Sequence, residues 1–519
     1  MFFRLYIKNI FLLLSGLFFV LMAYSKQQYN PPVFMEDDRL IKIQKHYTMI
    51  DKLYQEYAEK NHFPGYAFGI ILDGKLIHSG SGGYIDLNKK IPATTKSMFR
   101  VASMTKSFTA MAILKLRDEG KLKLDDPISL YIPEFKEKLT QDSPAITVRN
   151  LLTHSSGLPQ DDPWGDRKLE ETDDELIALF KKGISFSNVP GTTYEYSNLA
   201  FATLGYIIKK VSGLSYEKYI SRNIFIPLKM KDAAWEFKEV PSAYLAHGYK
   251  WVDYHWQNEK LLHDGIFGAM GGLIASVESF SEYVAFQQYA WPARNETEKE
   301  PLKRSSIREM QQPWRFNELT SQFKYPDGRE CAVAVAYGYG LHWARNCEGK
   351  VYIGHSGGLP GFGSNWLIMP DYGIGIIGLA NVTYAPVHDL NLNILNTLVK
   401  SAQLKPMQLP ASQILKERQK NLIKLLPEWK NAVASGIFSE NFFQDSSVES
   451  RKKQTIDVFS KAGKILRIGN LIPENQLRGY FILEGEKANI QISFALTAEN
   501  PSLIEKYEIK KISNQDQKH

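Results

Sequence analysis

Apolar and polar positions recur with two different periods along this chain, and the changes of period sketch its elements. Residues 41–60, "IKIQKHYTMIDKLYQEYAEK", set Ile43, Tyr47, Ile50 and Leu53 at helical spacing and predict one helix. "GYAFGIILDGKLIHSGSGGY" (65–84) holds two β-rich runs around Asp73-Gly74, a dipeptide suited to a tight hairpin turn. A helix is then predicted from near Ser103 through "MAILKLRDEG", ending at Gly120, which accepts the left-handed backbone of a helix terminator. From 121 to 335 helix and loop signals dominate, including "TDDELIALFKKG", "LAFATLGYIIKKVSG" and "SVESFSEYVAFQQYA". Three β-like runs follow: "VAVAYGYGLHW", "KVYIGHSG" and "NWLIMPDYGIGIIGLAN". Strands at both ends and helices between predict an α+β fold. One antiparallel sheet, assembled from both chain ends and flanked by helices, would carry a mostly helical lobe.

The pattern changes after about residue 400. "KPMQLP" reads as a linker, followed by helix-like "SQILKERQKNLIKLLPEW" and "SVESRKKQTIDVFSKAG". "NIQISFAL" (489–496) then alternates strictly, as a half-buried strand does. Residues 412–519 are read as a separate small α+β domain and 41–400 as the main domain. Residues 26–40, polar and Pro-containing, are read as a linker.

At the start, Arg4 and Lys8 precede the uncharged run "NIFLLLSGLFFVLMAYS", with small residues at Ala23 and Ser25 before Lys26. This is the pattern of a signal peptide spanning residues 1–25, which predicts an exported protein, periplasmic or secreted. An uncleaved anchor is the alternative, and membrane contact is expected only if this segment is retained.

Composition narrows the classes. At 44% hydrophobic and 23% charged residues the chain is globular. Its net charge of +7 is spread along the sequence rather than gathered, so no nucleic-acid partner is expected. The two cysteines, Cys331 and Cys347, flank a short β-like segment. A disulfide closing that loop and a pair of free thiols are both compatible with the sequence. Two cysteines cannot build a four-thiolate zinc site and no His-Glu-x-x-His is present, so no metal is expected.

The candidate chemistry begins with "FRVASMTKSF" (99–108), which sets Ser103 and Lys106 one helical turn apart in an apolar run. The serine opens a helix, where free N–H groups favour developing negative charge. Lys106 lies on the same face. Losing hydration lowers a lysine's pKa from about 10.4 and lets it act as a base. A lysine snorkelling to water beside an N-cap serine is the plain alternative. The spacing alone does not decide, since it recurs at Ser215/Lys218, Ser321/Lys324 and Ser450/Lys453 in polar settings. Two further clusters add weight. Tyr196-Ser197-Asn198 offers a phenol to relay a proton and an amide to hold a carbonyl. His355-Ser356-Gly357-Gly358 closes a predicted strand, where small residues let an extended substrate lie alongside and a backbone N–H reach an oxyanion. The glycines here are followed by a strand, not a helix, which disfavours a phosphate loop.

In this order, Ser-x-x-Lys, Tyr-x-Asn and His-x-Gly resemble the serine hydrolases related to class C β-lactamases and DD-peptidases, the penicillin-recognising fold. "LLTHSSGLP" (151–159), "PGTTYEYSN" (190–198) and "GAMGGLIAS" (268–276) extend the resemblance over roughly 45–400. The resemblance implies Ser103 as nucleophile, Lys106 as its base or the stabiliser of its alkoxide, and Tyr196 as proton shuttle. It implies Asn198 as the group orienting the substrate carbonyl and the backbone N–H groups of Ser103 and Gly358 as the oxyanion hole. Substrate would also meet Ser356 and Gly357, and no cofactor is implied. His355 stands where the lactamases proper carry lysine. A histidine, with a reference pKa near 6.5, gives a substrate carboxylate no permanent charge. Peptidase, amidase or esterase action on a small molecule or peptide, cell-wall-derived material among the candidates, is therefore expected over efficient β-lactam hydrolysis. The alternative is a non-catalytic or penicillin-binding regulatory protein that keeps the fold.

Overall fold

The structure, a computed structural model, describes residues 29–135 and 138–513; the signal segment expected at 1–25 lies outside the described residues. The described residues divide into two compact units, one within Phe34–Met407 and the other formed by 29–33 with 408–513.

The first unit is built on a nine-stranded antiparallel sheet. Two short helices, α1 (Arg39–Gln44) and α2 (Tyr47–Lys60), lead to the hairpin β1 (Gly65–Leu72) and β2 (Lys75–Asp86), followed by the two-residue β3 (Ile91–Pro92). The helical lobe contains α3 (Thr105–Asp118) and α4 (Asn198–Ser212), and α5 (Val277–Tyr289) follows it. Six strands return the chain to the sheet: β4 (Arg315–Lys324), β5 (Glu330–Tyr337), β6 (His342–Asn346), β7 (Val351–Leu359), β8 (Phe362–Met369) and β9 (Ile374–Ala380). Helix α6 (Val387–Ser401) closes the unit. The strand order is β3-β2-β1-β9-β8-β7-β6-β5-β4, so the first hairpin pairs with the last strand, as in Phe68 opposite Gly378. This is the antiparallel sheet from both chain ends that the sequence predicts.

Central strands β1, β8 and β9 are buried at every residue. Helices cover both faces, which is why these strands read as continuous apolar runs rather than alternating ones. Ile50, Tyr54, Leu395 and Leu398 form the core on one face, while Phe108, Val277 and Tyr283 belong to the core on the other.

Three local expectations are corrected. The single helix read over 41–60 is two helices, because the backbone at Lys45 and His46 leaves the ladder; Ile43 and Ile50 both stay fully buried across the break. Arg39, inside the stretch read as linker, is buried in α1 and pairs with Asp73 at 2.5 Å. The run "VAVAYGYGLHW" forms two strands, β5 and β6, separated by a turn with Gly340 at φ 66°. Their register sets Val333 opposite Asn346 and brings Cys331 to Cys347, which form a disulfide with Cα atoms 5.7 Å apart.

In the second unit α7 (Gln413–Leu425) and α8 (Val448–Ala462) share a core with a sheet ordered β10 (Ile465–Ile468), β11 (Arg478–Gly485), β12 (Asn489–Leu496) and β13 (Ile504–Ile512). The alternating run of β12 buries Ile490, Ile492, Phe494 and Leu496 on one face. This is the small α+β arrangement the sequence predicts.

Candidate active site

Ser103 sits in a tight helical turn, Ala102–Met104, that leads into α3. Ala102 immediately before it holds φ 50°, a left-handed backbone that a residue with a Cβ adopts only under constraint. The constraint is visible on both sides of Val101: its N–H donates to the Leu273 carbonyl at 2.9 Å, and its carbonyl accepts from Ser364 Oγ at 2.7 Å. Gly357 of β7 packs on this turn. A Cβ there would come within 2.3 Å of both the Val101 carbonyl oxygen and Ser364 Oγ, so only glycine lets the strand lie against the serine turn.

Lys106, one turn further on, is fully buried. Its Nζ donates to Asn198 Oδ1 at 2.7 Å, to Ser103 Oγ at 3.0 Å and to the Met270 carbonyl at 3.0 Å. Three acceptors match the three protons of an ammonium, so the snorkelling alternative does not hold. Burial lowers its pKa to about 8, partly opposed by the negative charges of Asp162, Asp166 and Asp161.

Asn198 opens α4 and is also fully buried. Because Lys106 supplies only donors, the Asn198 oxygen faces it and Nδ2 faces carboxylates, at 3.2 Å from Asp162 Oδ1 and 3.4 Å from Asp166 Oδ1. Both ends of the amide are engaged within the protein. Asn198 thus faces Lys106 with its oxygen, beside the substrate role that the resemblance implies for it. The three aspartates come from "DDPWGD" (161–166), a stretch the sequence reading did not single out. Its density of acid in six residues was the available signal.

Burial pushes the Tyr196 phenol pKa well above the ordinary value, partly opposed by the neighbouring Ser103 hydroxyl. Its ring lies 4.8 Å from Lys106 Nζ and 4.3 Å from the ring of His154. His154, from "LLTHSSGLP", is fully buried and accepts the Ser197 N–H at Nδ1, at 3.1 Å. Burial and the nearby Lys106 hold it well below the usual histidine pKa, so it stays neutral.

His355 lies on the Ser103 side of β7, its ring 6.3 Å from that of Tyr196. Nδ1 meets the Ser356 carbonyl at 2.5 Å and Nε2 meets the Tyr337 hydroxyl at 2.9 Å. A carbonyl only accepts, so Nδ1 carries the proton and Nε2 accepts from Tyr337. Burial, then the neighbouring His342 and Lys106, push its pKa well below 6.5. His355 therefore has no titration near 6.5 and no nitrogen left over for a carboxylate, a stronger version of the sequence argument. Tyr337 and His342, the latter lowered to about 4 by burial, were not foreseen. They stand at the facing ends of β5 and β6, which only the pairing of the strands brings to His355.

Ser103, Lys106, Tyr196, Asn198, His355 and Gly357 thus form one cluster. Ser356 does not join it: strand alternation turns its hydroxyl to the α6 side, where Asn365 Nδ2 donates to it at 3.1 Å. Gly358 lies against Tyr384, whose Cδ1 a Cβ would meet at 2.6 Å. Pairing of β7 with β6 stops at Gly354, so on that side the strand from His355 onward has no strand partner among the described residues and can run beside an extended substrate.

Residues 50–399 match the family described as Beta-lactamase. Among curated relatives, Protein flp of Staphylococcus aureus (strain N315) is 31% identical over 356 residues, which cover 67% of this chain and 66% of that protein. Penicillin-binding protein 4* of Bacillus subtilis (strain 168) is 27% identical over 351 residues, 64% of this chain and 71% of that one. Among solved structures, the octameric penicillin-binding protein homologue from Pyrococcus abyssi superposes with a TM-score of 0.59 at 23% identity. That likeness of fold covers 90% of this chain and 94% of the other.

Proposed function

The chain belongs to the β-lactamase family, and from that premise we propose that it is a serine hydrolase forming an acyl-enzyme at Ser103. The observation that carries this reading is the fully buried Lys106 amine, hydrogen-bonded to Ser103 Oγ at 3.0 Å. Lys106 is the base. At a pKa of about 8, roughly one lysine in ten is neutral at pH 7 and able to take the serine proton. Tyr196, with its pKa driven up, is no phenolate; it relays a proton between Ser103 and the leaving group as a neutral hydroxyl. The N–H groups of Ser103 and Gly358 hold the oxyanion.

The substrate is an amide, peptide or ester of a small molecule or peptide, with cell-wall material among the candidates. Efficient β-lactam hydrolysis is disfavoured because His355 offers a carboxylate neither charge nor a free N–H. Export is proposed from the N-terminal segment, and the Cys331–Cys347 disulfide supports an oxidising compartment.

A parallel panel tests the reaction class: short-chain aryl esters, D-amino-acid amides, a D-Ala-D-Ala peptide and a chromogenic cephalosporin, each against wild type and Ser103→Ala. Turnover of esters, amides or peptides that is lost in Ser103→Ala, with slow cephalosporin hydrolysis, is expected. Fast cephalosporin turnover would overturn the substrate reading. A stable cephalosporin adduct with no turnover of any substrate would favour the binding-protein alternative.

A further inference from the structure

Beside the Ser103–Lys106 pair the structure carries a second, unassigned arrangement that spans from the sheet to the helical lobe. Tyr384, just beyond β9, holds φ 52° and lays its ring against Gly358. Its hydroxyl donates to Asp166 Oδ2 at 2.8 Å. Asp166 is 2% exposed, and its other oxygen accepts from Asn198 Nδ2. Asn198 Oδ1 in turn accepts from Lys106. One chain of contacts therefore runs from the glycine whose N–H serves the oxyanion hole, through Tyr384, Asp166 and Asn198, to the base.

We infer that Asp166 and Tyr384 are positioning residues that set the proton affinity of Lys106 and fix the orientation of Asn198. This rests on the serine-hydrolase reading. An ionised Asp166 accepts from both Asn198 and Tyr384, which forces the Asn198 oxygen toward Lys106. Its negative charge also favours the protonated lysine, against the burial that favours the neutral one. Burial makes Asp166 reluctant to ionise, and the Tyr384 hydroxyl counteracts this. Burial raises the Asp166 pKa to about 7 against the Tyr384 hydrogen bond, so Tyr384 favours the ionised Asp166, and the ionised Asp166 favours the protonated Lys106.

Other groups also face Lys106. Asp161 and Asp162 act in the same sense as Asp166. Tyr196 and the neutral His154, His342 and His355 lie on the remaining sides. Removing Asp166 leaves two carboxylates, so the lysine's affinity for its proton falls without collapsing.

The test is the pH dependence of Ser103 labelling by an aryl fluorophosphonate, in wild type, Asp166→Asn and Tyr384→Phe. Labelling needs neutral Lys106 and rises with pH. In Asp166→Asn the midpoint moves to lower pH by about one to two units, the size expected for one charge a single amide away at an effective dielectric near 20. In Tyr384→Phe, Asp166 loses a donor and ionises less, so the midpoint moves the same way by a smaller amount. A merely structural role would lower the rate at every pH and leave the midpoint alone. Wild-type midpoints in both variants, or a shift to higher pH, overturn the inference while the hydrolase reading stands. No labelling of wild type overturns both together. Should Asp166→Asn fail to fold, Tyr384→Phe, at a half-exposed residue, decides alone.

Discussion

The amide of Asn198 is held between opposite charges: its oxygen accepts from Lys106 Nζ at 2.7 Å, and its nitrogen donates to Asp162 at 3.2 Å. The Lys106–Asn198 contact is shorter than the one from Lys106 to Ser103, at 3.0 Å. The ammonium is therefore aimed by Asn198 and shared with the serine, and these side chains should behave as one unit. Lys106→Ala and Tyr196→Phe are each expected to lower acylation about 10³-fold, with the double variant losing less than tenfold more. Asn198→Ala should cost about ten- to a hundredfold in wild type and almost nothing on a Lys106→Ala background. Labelling rates across this set check the prediction; simple multiplication of the losses would contradict it.

The two limbs of the pH response should separate. Below about pH 8 acylation should climb roughly tenfold per unit, because the reactive species is neutral Lys106 and its fraction grows in that proportion. KM for a carboxylate-bearing substrate should stay flat between about pH 5.5 and 8, since His355 is buried and does not charge there. Steady-state kinetics on a neutral and an anionic ester check both. A KM falling through about 6.5 would show that His355 titrates after all.

What the sequence disclosed follows from the range of the forces involved. The hairpin at Asp73-Gly74, the end of α3 near Gly120 and the alternation of β12 depend on neighbours within a few residues, and all were legible. Edge strand β4 was not: its apolar residues Phe316, Leu319 and Phe323 do not alternate, because most of that strand faces solvent and no core disciplines it. The same limit applies to the site. Ser103, Lys106, Tyr196, Asn198 and His355 stand in short motifs. Tyr337 and Asp166 reach the site only through strand register and loop packing, which no local pattern encodes. Ser356 shares a motif with His355, yet alternation along the strand sends it to the opposite face.

Gly357 is expected to be intolerant in a particular way. Gly357→Ala should cost about 1–3 kcal/mol of stability, as overpacking does. It should also slow Ser103 labelling at least tenfold, because the new methyl pushes β7 off the Val101 carbonyl and Ser364. Gly358→Ala meets only the ring of half-exposed Tyr384, which can swing aside, so its stability loss should be smaller. Melting curves and labelling rates on the two variants check this; equal behaviour would contradict it.

Asp264 should tie stability to pH. It lies beneath the Gly268–Gly271 helix that supplies the Met270 carbonyl, and its Oδ1 has no hydrogen-bond partner among the described residues. Burial raises its pKa to about 8, above the about 4 of an unfolded carboxylate, so folding favours the protonated form. That contribution is complete below about pH 4 and is lost as pH rises through about 8. Asp264→Asn, neutral throughout, should therefore gain on wild type as pH rises and melt higher at pH 9. Melting temperatures at pH 5, 7 and 9 check the crossing; parallel profiles would contradict it.

The central claim is that Ser103 becomes acylated with Lys106 as its base. Intact-mass analysis of wild type, Ser103→Ala and Lys106→Ala during reaction with an aryl fluorophosphonate tests it most directly, with peptide mapping of the adduct. One adduct per wild-type chain, mapped to Ser103, absent from Ser103→Ala and slowed about 10³-fold in Lys106→Ala, is the predicted result. Equal labelling of all three proteins, or an adduct mapped to another residue, would contradict the account.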